Sequence, residues 1–201
     1  MQYGAKMIQW APFAATNPET ASAPPKLGAP ANLGAPANLG ALNKVTETIN
    51  FNRTSAYGDN VKKVEIVEFR DGSLAVETLY LSNENAAALT GAELGTTDGD
   101  KDLKFGSNDI APYGSLAFYT NCMKDDGTKY YQGVFFPKVK ANMEGESYET
   151  KGDSIVLSNA KLTFTVFEPL YGKYRHKSPE FDTEAKAAAW VNEKIKAAAG
   201  G

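Results

Sequence analysis

The chain has 201 residues, a length that suits one domain with a substantial hydrophobic core. Its net charge of −3 gives no sign of a surface built to grip nucleic acid phosphates. The single cysteine, Cys122, excludes an internal disulfide, and together with the single histidine, His176, it leaves too few partners for a Cys–His dyad or a zinc site. Apolar runs fall short of the ~20 residues that span a bilayer, and the N-terminus lacks the apolar core of a signal peptide. We therefore expect a protein that is made in the cytosol.

Residues 1–43 differ in composition from the rest and are predicted to form an extended, proline-rich arm. Six prolines between residues 11 and 43 leave no run of helix length. The arm also holds a hexapeptide, Leu-Gly-Ala-Pro-Ala-Asn, that begins at Leu27 and again at Leu33. Two and a half copies are too few for a solenoid. The repeat is either a local duplication that lengthens the arm or a row of leucine anchors that orders in a partner's groove.

Residues 44–201 are predicted to form a mainly β domain. Apolar and polar alternation predicts strands at 44–51, 61–69, 74–81, 115–121, 129–136, 138–148 and 154–167. Turns are expected at 57–60, 70–73, 124–128 and 150–153. The Asp71-Gly72 pair is a strong hairpin signal between two such strands. Apolar residues on both faces of 74–81 predict a strand that is covered twice, and residues 92–112 are predicted to be a long functional loop.

Two helices complete the predicted domain. Ser82 and Gly91 are residue types that cap the two ends of a short helix, residues 83–89. A second helix is predicted at 184–199, with its apolar side at Ala187, Trp190, Val191 and Ile195. The predicted fold class is therefore a β-sandwich or barrel with a short mid-chain helix and a C-terminal helix.

The segment Asp98-Gly99-Asp100-Lys101-Asp102 resembles the start of a calcium-binding loop. The sixth position is Leu103 where the sharp turn of such a loop needs glycine, and Asp109 stands where a bidentate glutamate belongs. A solvated acidic loop is the favoured interpretation, with calcium binding at Asp98–Asp102 as the alternative.

No catalytic constellation stands out. Glu144 and Glu146 share one face of a predicted strand, but their polar neighbours favour a solvated face over the burial that acid–base chemistry needs. Phosphate-loop, nucleophile-elbow and His-Glu-x-x-His motifs are missing from the sequence. Cys122 lies in a strand-like run and is predicted to be a small buried residue, and His176 lies in an exposed-looking stretch. We expect no enzyme, no metal and no cofactor.

Several segments resemble, in their sequence and in their order, a known protein family. They are Tyr3-Gly4-Ala5-Lys6, Trp10-Ala11-Pro12-Phe13, Leu39-Gly40-Ala41-Leu42, Asn50-Phe51-Asn52, Tyr57-Gly58-Asp59-Asn60, residues 81–91 and residues 111–154. In this order they resemble the major tail proteins of phi13-type siphophages of Gram-positive hosts. The repeat at residues 27–38 departs from that pattern.

The resemblance implies a structural tail tube protein of a long-tailed bacteriophage, located in the virion. Its subunits would form hexameric rings, stacked into a tube that conducts DNA without binding it specifically, with Glu144 and Glu146 as a candidate lining. Implied partners are further copies of the chain and the tail-tip, terminator and tape-measure proteins, with no membrane. One alternative is a tube protein of a phage-derived particle or injection machine. Another is a monomeric β-sandwich binding module with a surface patch at Tyr130, Tyr131, Phe135 and Phe136, although such pairs are more often core or interface.

Overall fold

The computed structural model describes residues 1–13, 42–59, 61–78, 80–95, 101–143 and 160–196, and it is mainly β, as predicted. The strands are β1 Gln2–Pro12, β2 Leu42–Gly58, β3 Val61–Thr78, β4 Glu93–Leu94, β5 Leu103–Lys104, β6 Tyr113–Met123, β7 Lys129–Met143, β8 Ala160–Val166 and β9 His176–Lys177. The helices are α1 Asn83–Thr90 and α2 Glu184–Lys196. Predictions on the repeat at 27–38, on Asp98 and Asp100, on Glu144 and Glu146 and on the turn at 150–153 lie outside the described residues.

One antiparallel sheet of seven strands organises the described residues. Its order is β1-β6-β7-β8-β3-β2, with β9 paired to β7, while β4 and β5 form a separate small sheet within the predicted long loop. β1 and β2 stand at opposite ends of this order, yet they contact each other. The sheet must therefore curl strongly, so that its two end strands approach each other.

The inner face of the curled sheet carries the main core. Fully buried side chains from five strands, β1, β3, β6, β7 and β8, meet there, and Leu89 of α1 covers them. The predicted apolar face of β8, Leu162, Phe164 and Val166, belongs to this core and is confirmed. Each such side chain contributes about 1.5–3 kcal/mol on burial.

Helix α2 covers the outer face. Its predicted apolar side is confirmed, because Ala187, Val191 and Ile195 are buried against the sheet and Trp190 packs beside them. Gly133 lies under the indole, and a Cβ there would stand 2.3 Å from a Trp190 ring atom. Only glycine lets the helix approach this closely.

The capping residues of α1 act as predicted. The Ser82 hydroxyl accepts a hydrogen bond from the Asn85 backbone N–H, and Gly91 ends the helix at φ 76°, in the left-handed region. The Gly91 N–H donates to the Ala87 carbonyl. Serine and glycine therefore set both ends of the helix by satisfying backbone groups that would otherwise lack partners.

The hairpin predicted at Asp71-Gly72 is wrong. β3 runs through both residues as one strand of 18 residues. Gly72 pairs with Ile49 on β2, and a Cβ on Gly72 would stand 2.7 Å from Ile49 Cδ1. The register shifts beside Asn50, whose side chain donates to Asp71 Oδ1. Here the Asp-Gly pair marks a bulge and a close approach of neighbouring groups.

Two further strand predictions need correction. Residues 74–81 are not covered on both faces, because Leu74, Val76 and Thr78 are buried while Ala75 is exposed. The two strands predicted on either side of Pro137 are one continuous strand, β7. The β6–β7 register shifts at this level, so the missing N–H of proline is tolerated, and the Pro137 carbonyl accepts a hydrogen bond from Ser115 Oγ.

The first part of the predicted arm belongs to the sheet. β1 pairs with β6 from Gln2↔Cys122 to Pro12↔Gly114, and Ile8 and Trp10 are fully buried in the inner core. Residues 14–41 of the arm lie outside the described residues.

Candidate functional site

The β2–β3 hairpin extends well beyond the sheet that holds its base. β2 and β3 pair along their whole length, from Leu42↔Thr78 to Gly58↔Val61, whereas β8 pairs with β3 only between Gly72 and Thr78. Residues 51–58 and 61–69 therefore form a two-stranded extension, which we call the ribbon. At about 3.4 Å per residue the ribbon is roughly 30 Å long.

Large apolar side chains are exposed along the ribbon. Val64 and Ile66, which point to one face, are 51% and 53% exposed, and Val67, which points to the other face, is 48% exposed. Phe51, Tyr57 and Val61 are exposed as well. Single exposed apolar residues are ordinary, whereas a concentration of them is typical of surfaces that bind another molecule. A two-stranded ribbon is also marginally stable unless something packs on it.

The ribbon's edges are open within the part of the chain that the structure describes. No described strand pairs with the outer edge of β2, or with the outer edge of β3 before Gly72. Such edges present backbone N–H and C=O groups to any extended partner. Charged residues limit indiscriminate pairing; among them, Glu65 lies 2.9 Å from Lys62 and 3.9 Å from Arg53.

The root of the ribbon is held by aromatic rings. Phe69 stacks on Tyr174 with ring centroids 4.2 Å apart, and Phe51 meets Phe69 edge to face at 6.5 Å. Arg175, next to Tyr174, forms an ion pair with Glu47 on β2. These contacts fix the direction in which the ribbon leaves the sheet.

A cleft of about 410 Å³ lies at the other end of the sheet. Residues 141–143 of β7 form one wall, and the loop that contains Phe105 and Asp109 forms the other. Phe105, which lines the cleft, is exposed, and so are Tyr113 and Ile110, the latter lying in the chain between the lining residues Asp109 and Ala111. Lys140 lines the cleft with its Nζ 5.6 Å from the centre of the Tyr113 ring. Asp109 Oδ2 accepts a hydrogen bond from the Gly106 N–H, which shapes the loop.

Two of the residues considered for chemistry, Cys122 and His176, lie in the described part of the chain. Cys122 is fully buried, which confirms its prediction. His176 was expected in an exposed stretch, but it lies in β9, half-buried, with its ring edge-on to Phe135 at 5.6 Å. In the described ranges, no three His, Cys, Asp or Glu side chains are grouped so that they could hold a metal ion.

The aromatic patch of the binding-module alternative is not a surface. Phe136 is fully buried in the inner core, and Tyr131 and Phe135 pack under α2. Tyr130 is half-buried as well. As a surface patch, that prediction is wrong.

Sequence reasoning missed the ribbon, although its signal is present in the chain. Residues 61–69 place apolar side chains on both faces between charged ones, as Val64, Ile66 and Val67 show. A strand with one covered face would alternate. Lack of alternation in a charged strand indicates that neither face of the strand packs against the core of its own domain.

No protein-family model matches the chain, and the search of curated proteins returns no match either. Neither described helix is long and apolar enough to cross a membrane. A functional interpretation therefore depends on the ribbon, on the cleft and on the residues that carry the family resemblance.

Proposed function

We propose that this chain is a structural subunit that assembles with copies of itself, and that the assembly is a tail tube of the kind built by phi13-type major tail proteins. The observation that carries the proposal is the ribbon. It exposes apolar side chains on both faces and leaves backbone edges unpaired among the described residues. A second protein surface would bury both features at once.

The rest of the molecule supports this role. A curled, mainly β sheet is a rigid base from which a long hairpin can reach a neighbour. A net charge of −3 suits a wall along which DNA passes without adhering to it. Hexameric rings, a virion location and contacts with tail-tip, terminator and tape-measure proteins follow from the family resemblance, and the proposal includes no catalytic role.

Self-assembly is favoured over ligand binding by the distribution of exposed apolar side chains. Three of the four aromatic residues that would have formed a ligand patch, Tyr131, Phe135 and Phe136, are packed in the two cores. Six large apolar side chains, at positions 51, 57, 61, 64, 66 and 67, are exposed along the extended hairpin, which suits a long partner surface better than a small ligand.

The direct test is a concentration series of the purified protein, followed by light scattering and negative-stain microscopy. Wild type is expected to form rings or tubes above a threshold concentration. Ile66→Thr keeps the β-branched shape that favours a strand but removes apolar surface. Loss of about 1–1.5 kcal/mol per contact would raise the threshold roughly tenfold.

A matched control replaces an exposed apolar residue outside the ribbon. Leu170→Thr changes a side chain that is likewise exposed, and its threshold should equal that of wild type. Both variants should keep the thermal midpoint of the monomer, because neither residue is in a core. A wild-type protein that stays monomeric at high concentration would refute the proposed self-assembly.

A further inference from the structure

We propose that the ribbon of one copy binds in the cleft of the next copy, so that subunits join head to tail. This inference rests on the proposed self-assembly and specifies the contact through which it occurs. Three properties of the described residues lead to it: the positions of the two surfaces, their open backbone edges and their charges.

The ribbon and the cleft lie towards opposite ends of the strands. Strand pairing places Ala141, in the cleft wall, level with Phe164 and Leu74. The ribbon begins at Phe69 and runs away from that level. Ile66 is eight residues from Leu74 along β3, about 26 Å of strand. A ribbon rooted by its aromatic stack therefore cannot turn back into its own cleft, but it can reach a copy placed ahead of it.

The cleft and the ribbon each have a strand edge that no described strand pairs with. Pairing of β6 with β7 ends at Tyr113↔Lys140, so no described strand occupies that side of residues 141–143. The outer edges of the ribbon are open in the same way. Addition of a strand to such an edge is a common mode of peptide recognition, with side-chain pockets supplying specificity. Phe105 in the cleft lining, and Ile110 between the lining residues Asp109 and Ala111, offer exposed apolar surface for Val64 and Ile66.

The ribbon and the cleft also carry charges of opposite sign. Glu68 lies on the same ribbon face as Val64 and Ile66 and is exposed. Lys140 lines the cleft, and Asp109, the carboxylate among the described lining residues, accepts a hydrogen bond from the Gly106 N–H. Glu68 of one copy is therefore expected to approach Lys140 of the next.

This contact joins two different surfaces, so it is heterologous. Heterologous contacts generate closed rings or open filaments, whereas contact of a surface with itself generates a two-fold dimer. Head-to-tail growth is what a tube requires, and ribbon-to-ribbon pairing would stop at two copies.

Mixing two variants tests the contact. Ile66→Cys protein and Ile110→Cys protein are combined at an assembling concentration and treated with a short thiol-to-thiol cross-linker, which relaxes the strict geometry of a disulfide. Any link between the two cysteines then joins separate chains. We expect linked dimers in the mixture and few in either variant alone, with the linked peptides identified by mass spectrometry. Cys122 is fully buried and should not react.

The outcomes separate this contact from the proposed function. Ile66→Cys mixed with Leu170→Cys is the control and should give no link. Particles without a link between positions 66 and 110 would overturn the contact and leave the proposed function standing. Efficient linking of Ile66→Cys to itself would also overturn it, in favour of ribbon-to-ribbon pairing. Absence of particles would overturn both proposals.

A charge exchange gives a second, independent readout. Glu68→Lys and Lys140→Glu should each raise the assembly threshold about two- to fivefold, the range of an exposed ion pair. The double variant should return close to wild type, since the pair is restored with reversed polarity. If each single variant raised the threshold and the double variant raised it by the product of the two factors, the proposed ion pair between Glu68 and Lys140 would be contradicted.

Discussion

The phenol of Tyr119 on β6 donates a hydrogen bond of 2.6 Å to Glu184 Oε1 in the first turn of α2. Lys6 Nζ on β1 lies 3.0 Å from the same oxygen. Hydrogen bonds from Tyr119 and Lys6 lower the pKa of Glu184, while burial, together with the neighbouring carboxylate, raises the pKa of Tyr119. One carboxylate thus ties two strands to the helix, at the helix end where negative charge is favourable.

Glu184→Gln is expected to lower the free energy of unfolding at pH 7 by about 1 kcal/mol or less, because the pair is partly exposed to solvent. A carboxyl group with a lowered folded-state pKa stabilises the protein above its unfolded pKa. That contribution disappears as the pH falls through the folded pKa. The difference between wild type and variant should therefore close below the ordinary glutamate pKa of 4.5.

Urea unfolding of both proteins at pH 7 and in a series down to pH 3 measures this difference. Glu193→Gln, which changes an exposed glutamate on the same helix, is the control and should lie near wild type at pH 7. A Glu184→Gln deficit that stays constant across the series would contradict the assignment of the effect to the carboxylate's charge.

The ribbon's root is predicted to depend on the stacked rings of Phe69 and Tyr174. Tyr174→Ala removes this stack, and aromatic pairs contribute about 0.5–1.5 kcal/mol beyond the area that they bury. Amide hydrogen exchange in residues 51–58 and 61–69 should become several-fold faster, with β6 and β7 unchanged, as mass spectrometry of the peptides would show.

Tyr171→Ala provides the comparison, because it removes an exposed tyrosine from the same segment. Its exchange pattern should match that of wild type. Equal acceleration in both variants would mean that the segment as a whole, rather than the ring stack, holds the ribbon.

The parts of the fold that were predictable from sequence are those controlled by local chemistry. Ser82 and Gly91 bound α1 because a hydroxyl acceptor and a left-handed glycine satisfy neighbouring backbone groups whatever the rest of the chain does. The turn at Lys124–Thr128 was predictable for the same reason, since Asp126 accepts from the Thr128 N–H and Gly127 has a φ of 84°. Helix α2 was found through its apolar periodicity.

Features set by distant partners were not predictable in this way. Asp71-Gly72 has the composition of a turn, but Gly72 is required by Ile49 and Val166, which come from other strands. The ribbon was missed for a related reason, because nothing local to residues 61–69 says where β8 stops pairing. The length of a strand can be estimated from its own sequence pattern, but which strands pair with it and which side chains pack on it depend on distant parts of the chain.

Gly72→Ala tests whether packing, rather than a turn, requires the glycine. The added Cβ would stand 2.7 Å from Ile49 Cδ1 and 3.2 Å from the Thr48 carbonyl oxygen and from Val166 Cβ. Overpacking of this kind destabilises a protein by about 1–3 kcal/mol, measured here by urea unfolding.

The double variant Gly72→Ala/Ile49→Val is the diagnostic one, because valine lacks the Cδ1 atom. It should recover part of the loss, although Ile49→Val alone lowers stability by up to about 1.5 kcal/mol. Strictly additive losses would show that Ile49 does not limit the space at Gly72.

Cys122 is predicted to report global unfolding. Its side chain is fully buried between β1 and β7, because β6 pairs with both strands. A thiol reagent should therefore modify it at least about a thousandfold more slowly than an unfolded cysteine, since a domain opens globally only at a cost of several kcal/mol. The rate should rise with urea in step with the unfolding transition.

The thiol introduced by Ile110→Cys, at a position that is 77% exposed in the wild-type chain, serves as the reference for an accessible cysteine and should react at once. Rapid modification of Cys122 in native conditions would mean that β1 separates from β6 without global unfolding, which would also expose an edge of the sheet for assembly.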